Sequence, residues 1–556
     1  MSHKLPSRLA LLCLLLAACR NLCAQDVSFD WFEYTGRDAV FTGALPAGHY
    51  RNPILAGFYP DPGITRAGDK FYLVNSTFGY FPGIPVFESL DLVHWRQVGN
   101  VIERPSQLSF EGLRMSRGVF APSIEFHNGL FYVLNTAVDS GGNFFATATD
   151  PAGPWSELYW LPGIEGIDPS FFFDGDKTYI LNNGPPEGTP LYDGHRAIWI
   201  QEFDLAQRKP VGPRKVLING GVDLSTKPVW IEGPHLFKRA DWYYLTCAEG
   251  GTGPNHSQVV LRSRSPWGPF EPYAGNPILT QRDLPADRER PITNAGHANL
   301  VEAPDGTWWA TFLASRTYED VHYNTGRETF LLPVTWRDGW PVILDKGKTI
   351  PYVAKGPAFM RGNDQSPLSG NFTWRDEFAA AAIDRTWLQV RVPKQAWFDL
   401  RSKPGRLTIH ALTTPLDALS NPSFLARRQQ HQAFDATTAL DVPSTDAVAA
   451  GIAAFQSEAY WYFFGARRVG KRLELFVEKK SGKDVATVAT RTIDVPAGSL
   501  QLRISGDARL YSFSYGNGGN WTALLRDDDG SILSTDVAGG FVGAVVGPYA
   551  RATVAK

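Results

Sequence analysis

Asp69-Lys70-Phe71-Tyr72-Leu73 is the first of five stretches built alike. The others are Asn128-Gly129-Leu130-Phe131-Tyr132, Asp176-Lys177-Thr178-Tyr179-Ile180, Asp241-Trp242-Tyr243-Tyr244-Leu245 and Asp305-Gly306-Thr307-Trp308-Trp309. Each reads as a polar turn followed by an aromatic, strand-favouring run. With Tyr72, Tyr132, Tyr179, Tyr244 and Trp309 as markers, the intervals are 60, 47, 65 and 65 residues. A second element follows each marker: Trp95, Trp155 and Trp267 lie 23 residues after theirs, Trp336 lies 27 after Trp309, and Phe203-Asp204 takes this place in the third copy. Five units of this length, each holding several short strands, predict a five-bladed β-propeller over residues 46–350. A large sandwich is the competing architecture, but it gives no account of the equal intervals.

Outward from the repeat, the character changes near Phe372. Leu500, Leu502 and Ile504 alternate with polar neighbours, as do Tyr511, Phe513 and Tyr515, and a turn signal at 516–520 precedes Trp521. This predicts a β-sandwich over 372–556, joined through a Gly- and Pro-rich linker at 351–371. Residues 25–45 read as an N-terminal linker, and the chain as a whole as all-β. The 556 residues carry 54 Lys and Arg against 56 Asp and Glu, a net charge of -2, which argues against a broadly basic nucleic-acid surface. No nucleic-acid partner is expected.

Lys4 and Arg8 precede an apolar run from Leu9 to Ala18, the form of an export signal and too short for a permanent membrane span. Two processing sites compete. Leu16-Ala17-Ala18-Cys19 has the form of a lipobox, giving a signal of 1–18 and a lipid anchor on Cys19; cleavage after Ala24 gives a signal of 1–24. The expected destination is the periplasm, the outer membrane as a lipoprotein, or the medium. Of four cysteines only Cys247 lies beyond this segment, in a strand-like run, so no disulfide staples the body.

In a propeller the innermost strands converge on the axis. Stepping back eleven residues from each marker reaches Asp61, Ala121, Asp168, Gly233 (beside Glu232) and Ala298 (beside His297). A single Asp-Pro is ordinarily a turn. Three acids at equivalent points of a repeat are different, because gathered carboxylates repel and their pKa values must separate. Two such carboxyls can hydrolyse a glycosidic bond, one protonating the leaving oxygen and one activating water, while a third raises and orients the proton donor.

Asn52-Pro53-Ile54-Leu55 through Phe58-Tyr59-Pro60-Asp61-Pro62, the run at 76–83, Gly166-Ile167-Asp168-Pro169-Ser170 and Glu232-Gly233-Pro234-His235 closely resemble glycoside hydrolase family 43. Within it the chain looks most like β-xylosidases with an appended sandwich, here including Pro422 to His431. The resemblance implies a five-bladed propeller, a concanavalin A-like sandwich and an inverting mechanism. It also implies roles: Asp61 as general base, Glu232 as general acid and Asp168 as the acid that tunes and orients it. Phe78, Phe120 and Ala121 fall on the sugar-contacting wall, and Arg327 matches an arginine that bonds sugar hydroxyls. His297 matches an axial histidine that contacts calcium in some relatives, although a lone histidine is equally a structural hydrogen-bonder. Two departures stand out: Phe120 where the family often has Trp, and Asn299 where it often has an acid.

The expected activity is that of an exo-acting β-1,4-xylosidase on xylo-oligosaccharide or arabinoxylan-derived substrates, with no required cofactor and calcium as the one candidate ion. α-L-Arabinofuranosidase, or both activities together, is the alternative, and a silent carbohydrate-binding propeller is the non-enzymatic one. No Gly-x-Ser-x-Gly or His-Glu-x-x-His motif is present, and the phosphate-loop spacing at 465–471 has Arg472 in place of Ser or Thr.

Overall fold

The computed structural model describes residues 26–319, 321–362, 368–517 and 519–553. The signal-like segment, with Cys19 and Ala24, lies outside them. Polar turns and aromatic runs do form blades. Blade 1 pairs Gly63–Ala67, Lys70–Val74, Gly83–Ser89 and Arg96–Ile102; blade 3 pairs Ile167–Asp174, Lys177–Gly184, Ala197–Asp204 and Lys209–Asn219. Blades 2, 4 and 5 begin with Ser123–His127, Glu232–Arg239 and Ile292–Glu302. All five markers sit on second strands, where Tyr72, Tyr132, Tyr179, Tyr244 and Trp309 are buried. Trp95, Trp155 and Trp267 precede a fourth strand, whereas Phe203 and Trp336 lie on third strands; the interval in the last copy is longer because a long connection separates Trp308–Arg316 from Glu328–Arg337. Cys247 is buried on the second strand of blade 4, and residues 465–471 end in a tight hairpin where Val469 pairs with Arg472.

Adjacent inner strands pack in order around the axis, and the fifth packs on the first. Hydroxyls link some of them across the gap: Ser123 donates to the Pro169 carbonyl at 2.8 Å and Ser170 to the Pro234 carbonyl at 2.6 Å. Among the described residues no four-stranded blade mixes strands from the two ends of the propeller. Instead the Asn52 side chain donates to and accepts from the backbone of Leu331 in blade 5, both at 2.9 Å, and His49–Arg51 pairs with Val353–Lys355. Part of the stretch read as a linker at 351–371 is therefore a paired strand.

The larger correction concerns residues 25–45. Asp26–Gly36 is an eleven-residue strand inside the sandwich, hydrogen-bonded to Ala433–Leu440 on one side and to Leu407–His410 and Thr373–Asp376 on the other. A register shift between Phe29 and Trp31 breaks its alternation, so Val27 and Phe29 face the core in one phase and Phe32 and Tyr34 in the other. A single-period reading of the sequence misses such a strand. The sandwich has two eight-stranded sheets, and one ends on Tyr80–Phe81, contributed by blade 1 through pairing with Leu388–Val390. The two domains thus share a sheet.

A buried ionic cluster ties the same parts together. Arg316 on blade 5 grips Glu328 with two bonds, at 2.7 and 2.9 Å, donates to Asp38 and reaches the Gln430 carbonyl at 2.8 Å. Glu328 also accepts the Gly57 amide, and Asp38 accepts that of Ala433. Removing one partner of a buried cluster leaves the others as uncompensated charges. Arg316→Ala is expected to lower stability by about 3–5 kcal/mol, measured by denaturant unfolding; a loss under about 1 kcal/mol would show that the cluster is not a structural tie.

Candidate active site

The axial residues owe their placement to a repeated backbone device. Asp61, Asp168, Gly233 and His297 have φ of 52°, 55°, 56° and 52°. In blades 3, 4 and 5 the inner strand carries an extra residue here, with register shifts between Ile167 and Ser170, Glu232 and His235, and Gly296 and Asn299. A bulge re-aims side chains, and Asp and His tolerate positive φ better than bulkier residues. At Gly233 a side chain is also barred by space, since a β-carbon would lie 2.7 Å from Nε2 of His297.

Asp168, Glu232 and His297 on these bulges meet Asp61, just before the first strand of blade 1, in one cavity of about 400 Å³, with Arg327, Phe78, Phe120 and Ala121 on its walls. The three acids, His297 and the four residues expected to contact sugar all line it. Asp61 accepts a bond from Nη1 of Arg327 at 2.7 Å and another from the Ser76 hydroxyl. Asp168 accepts the Gly233 amide at 3.0 Å and faces Nε2 of His297 at 3.5 Å. Glu232 is half-buried, and burial, reinforced by the charges of Asp168 and Asp61 against the pull of His297 and Arg327, pushes it up to about 8. Burial disfavours charge on His297, but its bond to Asp168 and the charges of Asp61, Asp168 and Glu232 win and raise it to about 9. The cavity thus sets Glu232, a carboxyl that favours its proton, beside His297, a histidine that favours its own, with Asp61 bonded to the Arg327 guanidinium and Asp168 to the Gly233 amide. That is the equipment for moving a proton in each direction.

The apolar wall is assembled from three places. Phe78 and Val119 exchange backbone bonds at 2.8 and 3.1 Å, which sets Phe78 beside Phe120, ring centroids 5.1 Å apart. Phe541, from the sandwich, stacks on Phe78 at 5.7 Å and meets Phe120 edge-on at the same distance. The Arg327 guanidinium lies 5.7 Å from the Phe78 ring and 5.6 Å from that of Phe541. The loop bearing Phe541 is held by close backbone approach: at Gly543 a β-carbon would lie 2.7 Å from the Thr325 carbonyl, and the Phe541 amide donates to the Ser116 hydroxyl at 2.9 Å.

Residues 50–341 match glycosyl hydrolases family 43, and 375–556 match the β-xylosidase C-terminal concanavalin A-like domain. The chain belongs to family 43. It is a glycoside hydrolase. It is 38% identical over 521 residues to a xylosidase/arabinosidase of Butyrivibrio fibrisolvens, covering 90% of this chain and 95% of that one. It is 36% identical over 516 residues to a non-reducing end α-L-arabinofuranosidase of Bacteroides ovatus, covering 90% and 91%. The crystal structure of a GH43_12 protein retrieved from a capybara gut metagenome superimposes with a TM-score of 0.89 at 39% identity, over 94% of this chain and 99% of that one.

Sequence reading of this family 43 enzyme missed Phe541, Trp230, Val229, Thr252 and Arg117, all of which line the cavity. None belongs to the repeat of marker residues, and Phe541 lies more than two hundred residues beyond it. Arg327, expected to bond sugar, donates from Nη1 to Asp61 and to Thr252, the latter at 3.1 Å. For calcium the fit is poor. The ion takes six to eight oxygen ligands, His297 is engaged with Asp168 and favours the protonated form, and the Asn299 amide points to the Ile64 carbonyl at 3.5 Å. Among the described residues no group of three or more His, Cys, Asp or Glu converges to hold a metal.

Because the Asp168 charge contributes more to Glu232 than His297 offsets, Asp168→Asn should lower the Glu232 pKa below about 8, followed by carboxyl-carbon NMR. An unchanged or raised value would show that burial alone sets it.

Proposed function

We propose that the enzyme is an exo-acting, inverting β-1,4-xylosidase that removes single xylose units from xylo-oligosaccharides. The observation that carries this reading is a small axial cavity that gathers Asp61, Asp168 and Glu232, walled by aromatics and narrowed by Phe541 of the sandwich. A cavity of about 400 Å³ suits a terminal sugar rather than a threaded chain.

In this mechanism Asp61, held by Arg327 and Ser76, takes a proton from a water on one face of the sugar. The water oxygen bonds to the anomeric carbon while the glycosidic bond breaks. Glu232 gives its proton to the departing oxygen, and the product carries inverted configuration. Asp168 reinforces the burial that keeps Glu232 protonated, and its bond from the Gly233 amide ties the third blade to the fourth beside that acid. Since Glu232 must hold its proton to act, activity should fall as pH rises through about 8.

A second reading, α-L-arabinofuranosidase or both activities, is favoured by the printed names of the Bacteroides ovatus and Butyrivibrio fibrisolvens relatives. Hydrolysis of an aryl β-xyloside and an aryl α-arabinofuranoside separates the two: the xyloside is expected to be the better substrate, and a strong preference for the arabinoside reverses the order. Asp61→Asn and Glu232→Gln should each cut kcat by at least about a hundredfold without unfolding the protein. Near-normal turnover in either, or a retained first anomer by NMR, is incompatible with the assigned roles.

We further propose export, from the basic start and apolar run at 4–18, with an arabinoxylan-type polymer as the external source of substrate. The mass of the mature chain reads the processing site: a diacylated N-terminal Cys19 marks a lipoprotein, a start at Gln25 a soluble form, and an intact Met1 refutes export.

A further inference from the structure

Trp230 stands at the cavity mouth with a combination of features that the chemistry at the axis does not use. The residue is 37% exposed although it lines the cavity, and its φ is 48°, an outlier for a bulky residue. Such strain persists where the surroundings over-determine it, and marks candidate functional positions. Here the surroundings do so. The Trp230 amide donates to the Gly194 carbonyl at 3.0 Å, and the Val229 carbonyl accepts the Gly250 amide at 2.9 Å. Tyr192 donates to the Pro228 carbonyl at 2.9 Å, pinning the loop from the third blade against this segment.

One face of the indole is backed by Arg196, whose guanidinium carbon lies 4.9 Å from the ring centroid. Arg196 is itself fixed by two bonds to the Asn183 side-chain oxygen, at 3.0 and 2.8 Å, and Asn183 donates to the Ile231 carbonyl next to Glu232. Arg196 also interacts electrostatically with Glu232 and Asp168. A flat aromatic is therefore held rigidly two residues before Glu232, partly open at the mouth of the cavity. Rigid, exposed aromatic rings offer a stacking face to the apolar C–H surface of a pyranose at low entropic cost.

We propose that Trp230 is the platform for the sugar on the leaving side of the scissile bond. The assignment rests on the glycosidase reading above, in which Glu232 protonates the leaving oxygen. The unit that departs must lie on the side of that acid and outward from the aromatic pocket of Phe78, Phe120 and Phe541. Trp230 is the aromatic residue of the cavity that meets both conditions. It makes the enzyme select a glycosyl leaving group over a small one.

The test compares xylobiose, whose leaving group is a sugar, with β-xylosyl fluoride, whose leaving group is one atom. In Trp230→Ala the ratio of kcat/KM for xylobiose to that for the fluoride should fall about tenfold, the size of one lost stacking contact, with the loss in KM. Trp230→Phe should recover most of the ratio. An unchanged ratio, whether both substrates lose equally or neither does, overturns the platform. A wild-type enzyme that cleaves neither substrate overturns the xylosidase reading instead; the same comparison with an arabinofuranosyl-xylose and arabinofuranosyl fluoride then decides the role of Trp230.

Discussion

Carboxylates that meet on the axis of a propeller repel one another, and the site exists because the fifth blade brings the opposing charge. Asp61, Asp168 and Glu232 come from blades 1, 3 and 4, whereas His297 and Arg327 both come from blade 5. At Glu232 burial, with the charges of Asp168 and Asp61, outweighs the pull of His297 and Arg327, so this carboxyl is pushed up to about 8. The constellation therefore requires a closed ring. An open ring would separate Arg327 from Asp61 and leave a buried acid without its partner.

Closure is accordingly built more than once, and two of its ties are made by side chains. Asn52 bridges to Leu331, and Arg316 gathers Asp38, Glu328 and the Gln430 carbonyl into one buried cluster. The second of these reaches into the sandwich, which is more than an appendage. Arg428 of the sandwich donates to the Phe58 carbonyl at 2.6 Å and stacks over Tyr59 at 4.1 Å, directly upstream of Asp61. Phe541 completes the aromatic wall. The two domains thus share the task of placing one carboxylate and enclosing one cavity, and the strand contributed by Tyr80–Phe81 to a sandwich sheet is the backbone expression of that arrangement.

Much of this was legible in one dimension because a repeat is a local signal. The markers at Tyr72, Tyr132, Tyr179, Tyr244 and Trp309 located the blades, and counting back from them reached Asp61 and Asp168 directly and Glu232 and His297 within one residue. The one-residue offsets have physical causes. In blade 4 the left-handed position is occupied by Gly233, with the acid displaced to its neighbour, and in blade 5 the hairpin between Glu302 and Trp308 is longer than the turns between Asp174 and Lys177 or Arg239 and Trp242, which sets His297 one residue further from its marker. Where a bulge broke the alternation, as in Asp26–Gly36, the same style of reading took a core strand for a linker.

The sequence by itself determined the all-β class, the five-fold repeat and the identity of the axial acids, since each depends on residues near one another in the chain. Only the tertiary structure decided that Arg327 pairs with Asp61, that Phe541 walls the cavity and that Trp230 stands beside Glu232 at its mouth. The Arg327–Asp61 and Phe541 contacts join residues hundreds of positions apart, and no periodicity encodes a contact made only when the ring closes and the sandwich docks on it.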